Sequence, residues 1–366
     1  MNWRAVAFEG LFYIVFMFSF LRAIKIKAET DETFSKNAAW TLKGIGCLAI
    51  FGHHYGQMSG EPVLCLFTHF GYLMLNIFFL ISGYGVSYGL RNKKKYLEHF
   101  LIKRCGKIIL CYWLMNAITL IIEYCLYGKN NIGSFQRGVN IFFLKDASYT
   151  QASWYIMMLF WLYLSFYLAA HLGEKYLQLI MFLTVTGIVV YNIKRGMPLW
   201  YYNYLYSFNI GIYMAYRTRP ERTKINIFRV LCIFVAFVLL FVISKMDRVL
   251  MVPESMQLPL NIVAVLSSTA FAVAVMFLMD EIKIESNLLR LIGGISTSIY
   301  IVHTCVVLRP EIQSYIMGYV NNWGACLWIS LGITIIMCAG SKWLSNRIRY
   351  FLGIILGKIQ RKTDKC

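Results

Sequence analysis

The sequence predicts an all-α protein, a polytopic membrane helix bundle of about eleven transmembrane helices with its N-terminus outside and its C-terminus inside. Three observations predict it. Of 366 residues, 59% are hydrophobic and 14% charged, whereas a soluble domain is about 45–50% apolar and about 25% charged. Apolar runs of about 20 residues, long enough to cross the hydrocarbon layer as a helix, recur along the chain. The basic residues, 36 Lys and Arg against 17 Asp and Glu, sort between alternate loops as the positive-inside rule requires.

A soluble protein this apolar would lack the polar groups to cover its surface. Disorder is excluded by the low charge and abundant aromatics. A nucleic-acid binder would account for the net charge of +19 but not for the hydropathy. No Pro-, Gly- or Ser-rich linker and no repeat divides the chain, so 1–366 reads as a single integral-membrane domain.

The first run, 6–24, carries Glu9 and no small-x-small cleavage pattern before Lys25, so it is a span rather than a secretory signal. The remaining spans fall at 39–57, 63–88, 106–127, 152–170, 175–192, 198–216, 226–244, 257–279, 290–308 and 323–340. The stretch 343–357 is shorter and basic, and predicts an interfacial helix. With the N-terminus outside, 27 of the 36 Lys and Arg fall on the inner side and 9 on the outer. The net charge is thereby explained without nucleic acid. The densest basic stretch, Arg91 to Lys95 followed by Lys103, Arg104 and Lys107, serves as a topological anchor beside anionic lipid. It is also placed to help hold a phosphate-bearing ligand at the inner face.

None of the ten cysteines forms a CxxC pair. They read as small buried hydrophobes, so neither a metal nor a disulfide framework is expected.

Ionisable residues inside spans are costly and mark function by default. In the second span Lys43 and His54 stand eleven residues apart, nearly three helical turns, so both share one face about 16 Å apart in depth. His53 is rotated by roughly 100° from His54 and is not expected on that face. The plain alternative is that Lys43 snorkels to the inner interface and the histidines cap the outer end. An imidazole suits general-base work because its pKa lies near neutrality. The third span contains Ser82-Gly83-Tyr84-Gly85, a run that admits close helix packing. In the tenth, Ser296, Tyr300 and His303 recur at i, i+4, i+7 as one polar stripe. His303 and His54 lie at similar depth and meet if their spans are neighbours. Trp154 and Tyr155 open the fifth span at the outer boundary, where an aromatic belt is the plain reading. His69, His99 and His171 are assigned no chemistry. No HExxH, GxSxG, P-loop or Rossmann fingerprint supports those chemistries.

The combination resembles the acyltransferase-3 family of integral-membrane O-acyltransferases. A basic residue, ten intervening residues and a histidine (Lys43 to His54) match its signature. So do, in order, Phe78-Phe79-Leu80-Ile81-Ser82-Gly83-Tyr84; Phe100-Leu101-Ile102-Lys103-Arg104; Trp154-Tyr155-Ile156; and Gly294-Ile295-Ser296 through Tyr300 to His303. Lysine stands at 43 where the family usually has arginine, which keeps the charge and loses the bidentate fork. The family's core is ten spans beginning with the histidine-bearing one, so 6–24 is an added span in front. The resemblance implies acetyl-CoA, or another short acyl-CoA, as donor substrate. It implies a hydroxyl of a cell-surface glycan or lipid-linked saccharide as acceptor, in the plasma or inner membrane. It also implies His54 and Lys43 as the catalytic pair, with Arg104, Ser82, Trp154, Tyr155, Ser296, Tyr300 and His303 binding donor or acceptor. No metal and no nucleic acid are expected; the bilayer is the standing partner. A transporter or flippase of lipid-linked glycans is the alternative, which would not ask for these ordered motifs. A sensor without chemistry is a third.

Overall fold

The computed structural model describes residues 3–26, 34–60, 64, 67–68, 71–127, 135–143, 153–217, 227–245 and 253–363. Long helices dominate these residues, because runs of apolar side chains satisfy their backbone internally only as helix once water is excluded. Helix α1 is Trp3–Ala23, α2 Lys36–Ser59, α3 Met74–Asn92, α4 Lys107–Tyr127, α5 Phe135–Phe142, α6 Ser153–His171, α7 Glu174–Lys194 and α8 Tyr206–Tyr216. They are followed by α9 Ile227–Ile243, α10 Gln257–Glu281, α11 Asn287–Gly293, α12 Ser296–Val302, α13 Pro310–Val320 and α14 Trp323–Thr363. Among the described residues six helical segments are long and apolar enough to cross a membrane: Val6–Ala23, Ile102–Ile122, Ser153–His171, Glu174–Lys194, Gln257–Glu281 and Trp323–Arg347. The second of these includes a π-helical turn, Ile102–Gly106, ahead of α4.

Several sequence expectations need correction. In the span expected at 63–88 the long helix, α3, begins at Met74, after a 3-10 turn at Gly71–Leu73; Phe67 and Thr68 are helical ahead of it, and 63, 65–66 and 69–70 lie outside the described residues. That turn is pressed against α2: a Cβ on Gly71 would lie 2.4 Å from His53 Cβ and 2.5 Å from the Ala49 carbonyl oxygen. The span expected at 198–216 is α-helical only from Tyr206, because Pro198 opens a 3-10 turn, Leu199–Tyr201, in front of it. The span expected at 290–308 is not one helix. Helix α11 stops at Gly293, α12 starts at Ser296, and His303–Val307 is a π turn. The stretch 343–357 is continuous with the last span, inside α14. Helices α5 and α13 had no counterpart in the hydropathy pattern, being shorter than a span. A two-stranded antiparallel ribbon, β1 Ile24–Ile26 with β2 Ile282–Ile284, ties the C-terminal ends of α1 and α10. It is too short for periodicity to reveal.

Helix α2 is defined at both ends. Ser35 caps its N-terminus by accepting from the Ala38 N–H at 3.1 Å. Gly60, at φ 67°, closes its C-terminus in the left-handed conformation that only glycine adopts without strain. The bundle closes on it by backbone-to-backbone contact. A Cβ on Gly44 would lie 2.0 Å from the Leu289 carbonyl oxygen, and one on Gly293 would lie 1.8 Å from that of Trp40. Helices α3 and α8 meet in the same way at Gly83 and Gly211, where an added Cβ would lie 2.0 Å from the Phe208 and Leu80 carbonyl oxygens respectively. Small residues let helices approach where no hydrophobic drive separates lipid from protein. Buried polar pairs add directional contacts. Ser207 donates to Asn76 Oδ1 and Ser268 to Asn203 Oδ1, both at 2.6 Å.

A histidine pair at a broken helix

The two histidines that the sequence sets at similar depth meet. The rings of His54 on α2 and His303 after α12 lie 5.2 Å apart, tilted by 46°. The local chain explains how. Gly294 ends α11 and lets the backbone restart at Ser296 against α2, where Cys47 Sγ reaches the Ser296 carbonyl oxygen at 3.9 Å. The π turn then presents His303. It closes with the Leu308 N–H bonding to the His303 carbonyl oxygen at 2.8 Å. The nearby Val307 carbonyl oxygen is held by Gln313 Nε2 at 2.7 Å, and the same nitrogen reaches Ser330 Oγ at 2.7 Å. Irregular backbone at membrane depth is tolerated only where protein buries it or a cavity lies beside it, and π turns recur at functional sites.

His303 is fully buried. Its Nδ1 faces the Ile299 carbonyl oxygen at 2.6 Å. A carbonyl can only accept, so Nδ1 carries the proton and donates. This fixes the tautomer of the neutral ring and leaves Nε2 as its acceptor. Nε2 is buried with no hydrogen-bond partner among the described residues. An orphaned acceptor of this kind calls for an explanation, and it belongs to the ring that faces His54.

His53 is the residue that helical-wheel reasoning set aside. Its ring packs edge-on against His54 at 4.9 Å, and its Nδ1 donates to the Phe67 carbonyl oxygen at 3.2 Å. The adjacent histidines were the available signal. A single helix projects them apart, and contacts from ahead of α3, the Phe67 carbonyl oxygen and Gly71, hold His53.

From His303 a series of aromatic contacts leads away from the pair. Tyr300 lies 5.8 Å from His303 and 4.7 Å from Tyr155. Tyr155 in turn packs on Phe79 at 5.3 Å and Trp154 at 6.0 Å. The stripe read from α12 therefore holds for Tyr300 and His303. Ser296 contributes its carbonyl to Cys47, while Ser298 Oγ sits 3.2 Å from Cys111 Sγ on α4.

Arg104 and Ser82 belong to a second cluster. Arg104, in the other described π turn, donates through Nη2 to the Gly85 carbonyl oxygen at 3.2 Å and to the Tyr96 hydroxyl at 2.6 Å. Tyr163 interacts with Arg104 and with the Ser82 hydroxyl. Both clusters touch α6, through Tyr155 and Tyr163, eight residues or about 12 Å apart along the helix. Lys43 is half-buried, one turn from Cys47 and about 16 Å along α2 from His54. Among the described residues no three His, Cys, Asp or Glu side chains are placed to share a metal ion.

A family model described as "Acyltransferase domain" matches residues 41–346. No curated protein and no solved structure matches the chain.

Proposed function

The chain belongs to the acyltransferase-3 family and is a multi-pass membrane protein, and from that premise we propose that it moves an acetyl group from acetyl-CoA to a hydroxyl of a cell-surface glycan or lipid-linked saccharide. The observation that carries the reading is the meeting of His54 and His303 at the broken helix.

The proposed reaction uses His54 as general base. It takes the proton of the acceptor hydroxyl as that oxygen attacks the thioester carbonyl. The tetrahedral intermediate collapses, the carbon–sulfur bond breaks, and the proton returns to the departing CoA thiolate. His303, held in one tautomer by Ile299, offers Nε2 to orient His54 or the acceptor. Lys43 and Arg104 lie toward the other end of the bundle, where the donor's phosphates would be held. Trp154, Tyr155, Tyr300, Ser82 and Ser296 line the interval between the two ends.

An eleven-crossing bundle with its N-terminus outside and C-terminus inside agrees with contacts between helix ends. The C-terminal ends of α1 and α10 share the ribbon. The Arg217–Asp280 ion pair joins the ends of α8 and α10. Arg91 at the end of α3 donates to the Ala215 carbonyl oxygen, and Tyr216 reaches Glu174 at the start of α7. All of these ends are inner in that topology. At the opposite end Tyr55 donates to the Trp323 carbonyl oxygen at 2.6 Å, and Trp328 to that of Phe8 at 3.0 Å. Donor from inside and acceptor from outside then approach the histidine pair from different faces of a plasma or inner membrane.

The test is release of free CoA by purified protein supplied with acetyl-CoA and glycan, followed by mass spectrometry for the acetyl ester. His54→Ala is expected to lower kcat by about 10²–10⁴-fold, the range of general-base catalysis, with folding intact. Normal turnover by that variant would remove His54 from the reaction. Glycan movement across the membrane without CoA release would favour a transporter.

A further inference from the structure

We propose that the turn at 198–205, between α7 and α8, is a sugar-stacking subsite that holds a pyranose ring of the acceptor next to the one that is acylated. The inference rests on the acyl-transfer reading above and identifies the acceptor as an oligosaccharide. The stretch Trp200-Tyr201-Tyr202-Asn203-Tyr204 is the densest aromatic run in the chain, and neither the histidine pair nor the Arg104 cluster uses it.

The turn is rigid. Pro198 opens it, and backbone bonds close it from Tyr201 N to the Pro198 carbonyl oxygen at 2.9 Å and from Asn203 N to that of Leu199 at 3.0 Å. Tyr202 and Tyr204 are 1% and 3% exposed and anchor it in the core. Asn203 is locked by the Ser268 hydroxyl on α10. On this base Trp200 stands 53% exposed, and Tyr201 is half-buried with its ring 5.8 Å from Trp154. Lipid contact explains single exposed rings such as Trp161, 48% exposed midway along α6. It does not explain a pinned turn whose rings continue inward.

The continuation leads to the site. Tyr201 touches Trp154, Trp154 touches Tyr155, Tyr155 touches Tyr300 and Tyr300 touches His303. The chemistry of such a surface fits a sugar. The C–H face of a pyranose lies on the negative face of an aromatic ring, as the positive edge of another aromatic does. Phenol hydroxyls meanwhile accept and donate at the rim. Three rings intervene between Tyr201 and His303, so the stacked sugar is a neighbour of the reacting one. The acceptor is therefore longer than a monosaccharide.

Saturation-transfer NMR on the full chain in nanodiscs tests this with maltotriose, cellotriose and tri-N-acetylchitotriose as probes. At least one trisaccharide is expected to receive saturation at its ring C–H protons. The signal should fall threefold or more in Trp200→Ala and Tyr201→Ala, persist in Tyr201→Phe, and be unchanged in Trp161→Ala. No transfer to any trisaccharide, or a signal that survives both alanine variants, overturns the subsite. Equal loss in Trp161→Ala does the same. Aromatic-dependent binding without acetyl transfer would sink the reaction and leave the subsite standing. Transfer whose acceptor KM ignores Trp200 and Tyr201 would sink the subsite and leave the reaction.

Discussion

Arg104 shows how a single side chain reconciles two demands. Its guanidinium has five donors in a planar fork, and one nitrogen already serves the Gly85 carbonyl and the Tyr96 hydroxyl. It thus ties α3 to the segment before α4, and the rest of its fork is the part proposed for a phosphate. Lysine would keep the charge but not the fork. Arg104→Lys is expected to cost about 1.5 kcal/mol or more, the scale of a hydrogen bond from a charged group. The expected readout is a lower Tm in detergent, with a raised KM for acetyl-CoA; an unchanged Tm would show that the bridge contributes nothing. Position 43 poses the converse question, since lysine is native there. At this scale the sequence was informative where one helix suffices. The eleven-residue step from Lys43 to His54, and the i, i+3 step from Tyr300 to His303, both follow from helical geometry. His53 was not legible, because its placement depends on the Phe67 carbonyl and on Gly71, which arrive from a different segment.

Elements are shaped by where they must touch. Apolar run length marked α1, α4, α6, α7, α9, α10 and the first part of α14 to within a few residues, because lipid-facing helices answer only to the hydrocarbon thickness. It failed where backbone polar groups are satisfied by protein instead. The break at Gly294, the π turn at His303–Val307 and the late start of α8 lie in segments as apolar as their neighbours. Hydropathy therefore ran through them. Their signals are local: a glycine pair before α12 and a proline before α8. The same contrast separates glycines that look alike in sequence. On α8, a Cβ at Gly211 would meet the Leu80 carbonyl oxygen at 2.0 Å and the Tyr84 nitrogen at 2.7 Å. Backbone atoms cannot swing aside, so Gly211→Ala forces α3 and α8 apart. On α7, Gly187 has nothing within 4 Å of its Cβ position, and alanine there gains up to about 1 kcal/mol of helix propensity. Thermal unfolding of the two variants is expected to move in opposite directions, Gly211→Ala well down and Gly187→Ala level or slightly up. Equal effects would mean that the α3–α8 contact yields to a methyl group.

At the scale of the whole molecule, charge and contacts bear on the same question, how many times the chain crosses. The sorting of 27 basic residues to one side treats 290–308 as a crossing, yet the segment 287–308 is broken. A broken segment can also enter and leave by one face. The contacts argue for passage. Ser286 N approaches Thr41 Oγ1 at 3.4 Å, and Gly44 packs on Leu289, so the segment begins beside the first turns of α2. It ends with His303 beside His54, thirteen residues or about 20 Å further along α2. The chain then continues through α13 to Trp323, whose carbonyl oxygen accepts from Tyr55 near the end of α2. Reporter fusions separate the alternatives. Green fluorescent protein fused after Lys95 is expected to fluoresce, and alkaline phosphatase fused after Gly196 to be active outside. Phosphatase fused after Asn321 is then active if 287–308 crosses and inactive if it re-enters. Activity at Asn321 together with Gly196 would put the histidine pair about five residues, or roughly 8 Å, below the outer end of α2. In the proposed reaction an acceptor arriving from outside would reach it there, while the donor would extend from the Arg104 end. Silence at Asn321 with activity at Gly196 would instead leave the last helix reversed and its basic C-terminal half on the outer side, against the rule that sorted the charges.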